Sequence, residues 1–149
     1  MHRDIPLEDE AATVRLGHRL ASGLAAGDMI LLEGDLGSGK TTLARAIIQA
    51  RAGMAIDVPS PTFNLVIPYD LPGLTIAHFD LYRLSGPDDT LEIGLEDAMA
   101  AGVCLVEWPD RLDPAHAVGA LAIRLERDGA GRRAILDGPD EMMERLGAA

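Results

Sequence analysis

The sequence has few cysteines, few aromatic residues and no long apolar runs. Its 149 residues include one cysteine, one tryptophan, two tyrosines and two phenylalanines. A single cysteine, Cys104, excludes an intrachain disulfide and favours a reducing, cytoplasmic compartment. Because Cys104 lies in an apolar run, we interpret it as a core residue rather than a nucleophile. With so few rings, the core is expected to consist mainly of Leu, Ile, Val, Ala and Met.

Membrane and secretion signals are also missing from the sequence. No run approaches the roughly 18 apolar residues of a membrane span. The N-terminus lacks the apolar segment of a secretion signal. We therefore expect no membrane association and no export, and the length predicts a single domain over residues 1–149.

Positive charge is scarce. Lys and Arg together number 13 against 24 Asp and Glu, which gives a formal net charge of −11. Binding to nucleic acid depends on clustered basic side chains that neutralise phosphates, so strong direct binding to RNA or DNA is not expected. An acidic surface instead suits solubility or contact with a basic partner protein.

Lysine occurs once, at position 40, and every other long basic side chain is an arginine. Lys40 lies in Gly34-Asp35-Leu36-Gly37-Ser38-Gly39-Lys40-Thr41-Thr42, which matches the P-loop pattern GxxxxGK[ST]. Lysine is a compact point charge on a thin stem, whereas arginine is planar and bulky, so a cradle of backbone amides accepts only the former. The short apolar run 29–32 before the loop predicts a strand, and residues 41–52 after it predict a helix. This is the context that a P-loop requires.

Each part of the loop has a predicted task. Gly37 and Gly39 permit turns closed to residues with a Cβ, so that successive amides surround an anion at a helix N-terminus. Lys40 is expected to reach the β- and γ-phosphates, Thr41 to ligate Mg²⁺ and Thr42 to bond the α-phosphate. The predicted nucleotide contacts of the loop are Asp35, Leu36, Gly37, Ser38, Gly39, Lys40, Thr41 and Thr42.

P-loop enzymes also use an acid at the end of a neighbouring buried strand to hold the metal ion or its water. Glu107 follows the apolar run 103–106 and fits this role, although aspartate is the usual residue and an ordinary solvated strand-end acid is the alternative. Trp108, which comes next, is expected either to pack on the nucleotide base or to close the edge of the core.

Hydrolysis requires a group that senses the γ-phosphate and positions water. Thr62 lies on a stiff loop and is a candidate for this role. The alternative is that Thr62 is only a turn residue at the start of a strand. Asp80 follows another apolar strand and is expected to orient water, unless it is only a strand-end turn acid. His78 would share a face with Asp80 and is interpreted as structural rather than as a base. Arg83 is interpreted as an ion-pair partner of Asp80, with stabilisation of transition-state charge as the alternative. The guanine-reading NKxD signature is absent, which favours ATP over GTP.

The remaining patterns predict an α/β fold, a P-loop NTPase-like mixed β-sheet flanked by helices. The apolar spacing and turn residues indicate helices over 8–26 and, in one or two pieces, 86–101; strands over 63–69, 74–79, 103–106, 121–125 and 134–136; turns at 70–73 and 128–131; and a short acidic helix at the end. Arg132 and Arg133, in the last of these hairpins, are interpreted as solvated.

Four blocks in this order resemble the TsaE (YjeE) family, the ATPase of bacterial tRNA threonylcarbamoyladenosine modification. They are Gly34–Thr42, Ser60-Pro61-Thr62-Phe63, His78-Phe79-Asp80-Leu81-Tyr82-Arg83-Leu84 and Val106-Glu107-Trp108-Pro109, and the similarity covers roughly residues 5–126. The resemblance implies an ATPase that is weak alone and acts on a complex of TsaB and TsaD, with the modification chemistry in those partners.

The resemblance also implies specific roles. Thr41 and Glu107 match Mg²⁺ ligands, Asp80 a residue needed for hydrolysis, Thr62 a switch-like threonine, and Glu10 a residue near the adenine. Ser38 stands where alanine is usual in the family. Two other functions stay open at this point: a small-molecule P-loop kinase, and an adaptor that is gated by bound ATP without hydrolysing it.

Overall fold

Seven strands form one sheet, and helices pack on both of its faces. A computed structural model describes residues 1–148, with the side chain of Leu91 outside the description. The strands are β1 (His2–Leu7), β2 (Met29–Glu33), β3 (Val66–Leu71), β4 (Leu74–Asp80), β5 (Val103–Glu107), β6 (Leu121–Asp128) and β7 (Gly131–Asp137). The helices are α1 (Glu10–Gly23), α2 (Lys40–Ala52), α3 (Pro87–Glu92), α4 (Leu95–Ala101) and α5 (Asp140–Arg145), with 3₁₀ turns at Pro109–Arg111 and Pro114–Ala117.

The sheet is mixed, as the sequence predicted. Its strand order is β1-β7-β6-β2-β5-β4-β3. The four central strands β6, β2, β5 and β4 are parallel, whereas β3, β7 and β1 join at the two sides in antiparallel pairs. Since parallel strands end at the same edge, the chain segments that follow β2, β4 and β5 meet there. In open α/β sheets this is the edge at which ligands bind.

The apolar run of β2 divides between two cores. Ile30 and Leu32 face the cluster formed with α1 and α2, while Met29 and Leu31 face the cluster formed with the α4 region. Successive side chains of a strand point to opposite faces, so a strand that is covered on both sides is apolar throughout. The core consists almost entirely of aliphatic residues, which confirms the expectation from composition.

Helix α1 lies within the predicted range and packs closely on α2. The side chain of Asp9 caps it by accepting a hydrogen bond of 2.9 Å from the amide of Ala12. A Cβ added at Gly17 would lie 2.6 Å from the Cβ of Ala46, so the close approach of the two helices depends on glycine. α1 has 14 residues, and no helix within residues 1–148 is long and apolar enough to cross a bilayer.

The predicted strand over 63–69 is wrong in its bounds. β3 begins at Val66, because residues before it form a turn in which the amide of Leu65 donates to the carbonyl of Pro61 at 2.6 Å. Leu65 has a φ of 67°, which is incompatible with a strand. At the other end β3 continues through Leu71, so the connection to β4 is the two residues Pro72 and Gly73 instead of residues 70–73.

Strand β1 was not predicted. It pairs antiparallel with β7 at the edge of the sheet, from His2 opposite Asp137 to Leu7 opposite Arg132. Only Leu7 is fully buried in it, and Pro6 is of the kind tolerated on edge strands. An edge strand with one buried residue has almost no hydrophobic alternation. β1 therefore cannot be recognised from its own sequence and is identified only by its pairing with β7.

The buried thiol of Cys104 supports a first prediction. Its side chain is fully buried in β5, and burial raises its pKa to about 12. Because the thiolate is the reactive form, alkylation by iodoacetamide at about pH 8 should be at least roughly 100-fold slower in the folded protein than in denaturant. Mass spectrometry over time measures both rates, and similar rates would show that Cys104 is accessible.

Candidate functional site

The glycine-rich loop joins the end of β2 to the first residue of α2 at the edge where the parallel strands end. Gly37 and Gly39 have φ values of 77° and 104°, in the left-handed region that favours glycine. Among residues 1–148, no side chain forms a capping hydrogen bond at the N-terminus of α2. Its first amides therefore face the loop, and the positive end of the helix dipole favours an anion there.

The ammonium of Lys40 is held inside this loop. It donates to the carbonyl oxygens of Gly34 at 2.7 Å and Asp35 at 2.8 Å, and the side chain is buried. Burial lowers the pKa of Lys40, and the nearby carboxylates of Glu107, Asp80 and Asp35 oppose that shift. The cation is thus kept at the centre of the loop by carbonyls and by surrounding negative charge.

Thr41 and Glu107 meet although they lie 66 residues apart. The parallel register places Glu107 beside Leu32, at the end of β2 where the loop begins. The hydroxyl of Thr41 donates to the two carboxylate oxygens of Glu107, at 2.9 and 3.2 Å. Both are hard oxygen ligands of the kind that Mg²⁺ prefers. In the described part of the chain, no group of three or more His, Cys, Asp or Glu side chains is arranged to hold a metal ion.

Asp80 ends β4 directly opposite Glu107 in the β4–β5 register. One of its oxygens accepts a hydrogen bond of 3.2 Å from the hydroxyl of Thr62, and the other accepts one of 3.0 Å from the amide of Tyr82. Thr62 lies in the turn before β3, four residues ahead of the strand, so it is a turn residue whose hydroxyl also contacts Asp80. Its hydroxyl also lies 2.7 Å from that of Ser60.

The expected ion pair between Arg83 and Asp80 is not formed among the described residues. The guanidinium of Arg83 donates to the carbonyl oxygen of Thr62 at 3.4 Å and lies 5.8 Å from the ring centre of Phe63. Arg83 therefore contacts the turn that carries Thr62 and leaves the carboxylate of Asp80 to other donors.

A cavity of about 320 Å³ brings most of the predicted site residues together. It is lined by Leu36, Gly37, Gly39, Lys40, Thr41, Thr42, Ser60, Thr62, Asp80, Glu107 and Trp108. The indole of Trp108 covers the ammonium of Lys40, with 4.3 Å between the nitrogen and the ring centre, and lies 4.8 Å from the ring of Tyr82. This cavity has room and charge for phosphate groups.

A second cavity, of about 310 Å³, borders the same loop. Glu10, Ser38, Thr42 and Arg132 are among its lining residues, and Trp108 is not. Because Thr42 lines both cavities, one ligand can extend from the first into the second. Glu10 and Trp108, the two predicted base contacts, therefore line different cavities. Asp35 lines neither cavity and instead borders a larger one of about 830 Å³ beside β6.

Two residues at the site have contacts that the sequence did not indicate. Arg132 was interpreted as solvated, but its guanidinium donates to the carbonyl oxygen of Gly37 at 3.2 Å. His78 is buried as expected for a structural residue, yet its Nε2 lies 2.6 Å from a carboxylate oxygen of Glu107. A pair of arginines in a glycine-rich turn was the only local signal for Arg132, and these contacts join residues 95 and 29 positions apart.

Comparison with known proteins identifies the family of this chain. The family described as "Threonylcarbamoyl adenosine biosynthesis protein TsaE" matches residues 7–135. Three similar proteins carry the name "tRNA threonylcarbamoyladenosine biosynthesis protein TsaE". The Rickettsia felis protein is 42% identical over 104 residues, which are 70% of this chain and 61% of that protein. The Haemophilus influenzae protein is 39% identical over 70% of both chains, and the Bacillus subtilis protein is 36% identical over 73% of this chain and 68% of its own.

Two further facts concern coverage and fold. The matched region spans less than two thirds of the Rickettsia felis and Rickettsia conorii proteins, at 61% and 59% of their lengths. A crystal structure of Bacillus subtilis YdiB superposes with a TM-score of 0.78, covers 99% of this chain and 92% of that chain, and is 26% identical. The similarity in structure therefore extends over nearly the whole chain.

Proposed function

Because this chain belongs to the TsaE family of threonylcarbamoyl adenosine biosynthesis proteins, we propose that it binds and hydrolyses ATP with Mg²⁺ during the modification of tRNA adenosine. The adenosine is the one at position 37, and residues 1–149 form one ATPase domain. ATP hydrolysis resets a complex of TsaB and TsaD, and the modification chemistry belongs to those partners.

The observation that carries this proposal is the contact between Thr41 and Glu107 beside a buried Lys40. A glycine-rich turn that matched the pattern by accident would have no reason to meet an acid 66 residues away. The hydroxyl and carboxylate lie 2.9 Å apart at the mouth of the loop, where the lysine supplies the positive charge for phosphate oxygens. Strand, loop, lysine, hydroxyl and acid are the parts with which a P-loop protein binds a nucleotide and Mg²⁺.

The metal ligands of the chain itself would be Thr41 and Glu107. Mg²⁺ is commonly held by one or two protein groups together with substrate phosphates, so two oxygen ligands and an open cavity suit it. When bound there, Mg²⁺ would neutralise charge on the β- and γ-phosphates. The loop amides and Lys40 would hold the same phosphates and fix their orientation.

Asp80 and Thr62 would direct the water. Asp80 lines the cavity of the phosphates, and its carboxylate accepts hydrogen bonds from the hydroxyl of Thr62 and the amide of Tyr82. A fixed carboxylate can accept a proton of a water molecule as the water oxygen attacks the γ-phosphorus and the bond to the bridging oxygen breaks. The leaving group is ADP, and the proton ends on Asp80 or on the released phosphate.

The adenosine would occupy the cavity of Glu10 and Arg132. That cavity adjoins Thr42, the expected contact of the α-phosphate, and a carboxylate at Glu10 suits the amino group of adenine. With the adenosine in this cavity, the adenine ring would not stack on Trp108. Trp108 would instead cover Lys40 and the phosphates, which is how it contributes to nucleotide binding.

The charge of the chain fits a protein that works through protein partners. A formal charge of −11 opposes direct tRNA binding and favours a basic docking surface on the TsaB–TsaD complex. We place the reaction in the cytoplasm, where tRNA is modified.

The test is ATP hydrolysis by this protein with Mg²⁺, measured alone and with its own TsaB–TsaD pair. We expect slow release of phosphate by the isolated protein and clear stimulation by the pair. Tight binding to the pair without hydrolysis in either condition would favour the ATP-gated adaptor. Transfer of phosphate to a metabolite in place of water would favour the kinase.

Arg132 supplies a second test of the adenosine cavity. The change Arg132→Ala removes a cation that lines this cavity and holds the carbonyl of Gly37, so ATP affinity should fall by roughly 10-fold. Arg133→Ala is the matched control, because Arg133 carries the same charge in the same hairpin but pairs with Glu126 at 3.1 Å. Calorimetric titration with ATP measures both. If both variants lost the same ATP affinity, the loss would come from the change in net charge and would not support an adenosine site beside Arg132.

A further inference from the structure

His78 is a fully buried histidine with one partner. Its Nε2 lies 2.6 Å from a carboxylate oxygen of Glu107, and both side chains are almost completely inaccessible to solvent. Its Nδ1 is buried as well and has no hydrogen-bond partner in the described part of the chain. The imidazole thus presents one bonded and one unbonded nitrogen to the interior of the protein.

Fold stability does not account for this residue. A buried polar atom without a hydrogen-bond partner destabilises the folded state, and an apolar side chain of similar shape would avoid that cost. His78 lies on β4 between Ala77 and Phe79, which both pack in an apolar cluster. The benefit that offsets the cost must therefore come from the nitrogen that is bonded to Glu107.

Glu107 needs a second contact because it is longer than the usual residue. An aspartate at the strand end would be placed by the backbone with two side-chain torsions, whereas glutamate has one more torsion and more rotamers to restrict. The hydroxyl of Thr41 contacts both oxygens of the carboxylate from the side of the cavity. His78 contacts the carboxylate from the neighbouring strand, so the two contacts together leave it one orientation.

We propose that His78 is a positioning residue that donates through Nε2 to Glu107 and so sets the affinity of the nucleotide site for Mg²⁺. This inference rests on the proposed function, since it assigns Glu107 to the metal. His78 itself touches neither metal nor nucleotide. It fixes the carboxylate beside the hydroxyl of Thr41, and the partners that orient a metal ligand commonly change metal affinity by 10- to 100-fold when removed.

Three substitutions separate the hydrogen bond from the fold. His78→Gln keeps an N–H at the same number of bonds from the backbone as Nε2. His78→Asn carries the same amide one bond nearer to the backbone, where it cannot reach Glu107, and His78→Leu removes the polar group. For each protein, ADP binding is measured by calorimetry at a series of Mg²⁺ concentrations. The same measurement is then made in EDTA, without free Mg²⁺.

The expected result is a loss that depends on Mg²⁺. His78→Asn and His78→Leu should need roughly 10-fold or more Mg²⁺ for half-maximal ADP binding, while His78→Gln should stay close to the wild type. In EDTA all four proteins should bind ADP equally. A merely structural role would instead reduce ADP binding equally with and without Mg²⁺ and would lower the melting temperature of His78→Leu.

Two results would overturn the proposal. One is that the wild type binds ADP in a Mg²⁺-dependent way and His78→Leu needs the same Mg²⁺ concentration. That result would refute the positioning role of His78 but not the proposed ATPase. The other is a long-range ¹H–¹⁵N NMR spectrum of the nucleotide-free wild type in which Nε2 of His78 carries no proton. This spectrum does not depend on whether the variants fold. A wild type that binds no ADP at all would refute the ATPase and the positioning role together.

Discussion

Lys40→Ala is expected to abolish measurable ATP binding. The ammonium is the single lysine charge of the chain, is buried in the loop and is poised between carbonyl oxygens 2.7 and 2.8 Å away. Hydrogen bonds to charged groups contribute about 1.5–3 kcal/mol each, so losing two phosphate contacts should weaken ATP binding by roughly 100-fold or more. Calorimetry with Mg²⁺ and ATP measures the change.

Lys40→Arg is the matched control for this result. It keeps the positive charge but replaces a thin stem with a planar guanidinium, which the loop around Gly34 and Asp35 has no room to enclose. We expect the arginine variant to lose most of its ATP affinity as well, while both variants keep their circular dichroism spectra. ATP binding by Lys40→Ala within about threefold of the wild type would contradict the assignment of the loop to phosphate.

Asp80→Ala is expected to keep ATP binding and to lose hydrolysis. Asp80 ends β4 opposite Glu107, and its carboxylate accepts a hydrogen bond from the hydroxyl of Thr62. This carboxylate lines the cavity but is not part of the loop proposed to hold the phosphates. Removal of a group that accepts a proton from water commonly lowers the rate by about 10²- to 10⁴-fold. The turnover is measured in the presence of the TsaB–TsaD pair, and ATP affinity is measured in parallel.

Asp80→Asn separates charge from placement. The amide keeps the size of the side chain and an oxygen that accepts the N–H of Tyr82, but it cannot take a proton from water. If proton transfer matters, Asn should be as slow as Ala. If Asp80 only orients Thr62 and water, Asn should retain a substantial part of the rate. Normal hydrolysis by Asp80→Ala would show that this residue has been misassigned.

The parts of the site that are contiguous in sequence were predictable. Strand β2, the loop and α2 follow one another within residues 29–52, and local rules of glycine, lysine and apolar spacing are sufficient to identify them. Buried strands with apolar runs, such as β5, were identified for the same reason. The edge strand β1 and the turn at Leu65 were not, because pairing with β7 and a hydrogen bond to Pro61 decide their conformation.

Contacts between distant parts of the chain at the site could not be predicted from local sequence patterns. Arg132 reaches Gly37 over 95 residues, and His78 reaches Glu107 from a neighbouring strand. The sequence classed the first as solvated and the second as structural. Its residue types allowed the actual contacts, but only the register of parallel strands and the position of the last hairpin determine which atoms come within hydrogen-bond distance.

The sequence by itself determined the family, the mixed α/β fold with an aliphatic core, and the residue types on which the proposed phosphate, Mg²⁺ and water contacts rest. These depend on residue identity and short spacing, which are properties of the chain. The tertiary structure alone decided which side chains share a cavity, that Glu10 and Trp108 line different cavities, and what holds Glu107. Those depend on packing between distant segments, where a displacement of one residue in strand register would turn every side chain of that strand to the opposite face.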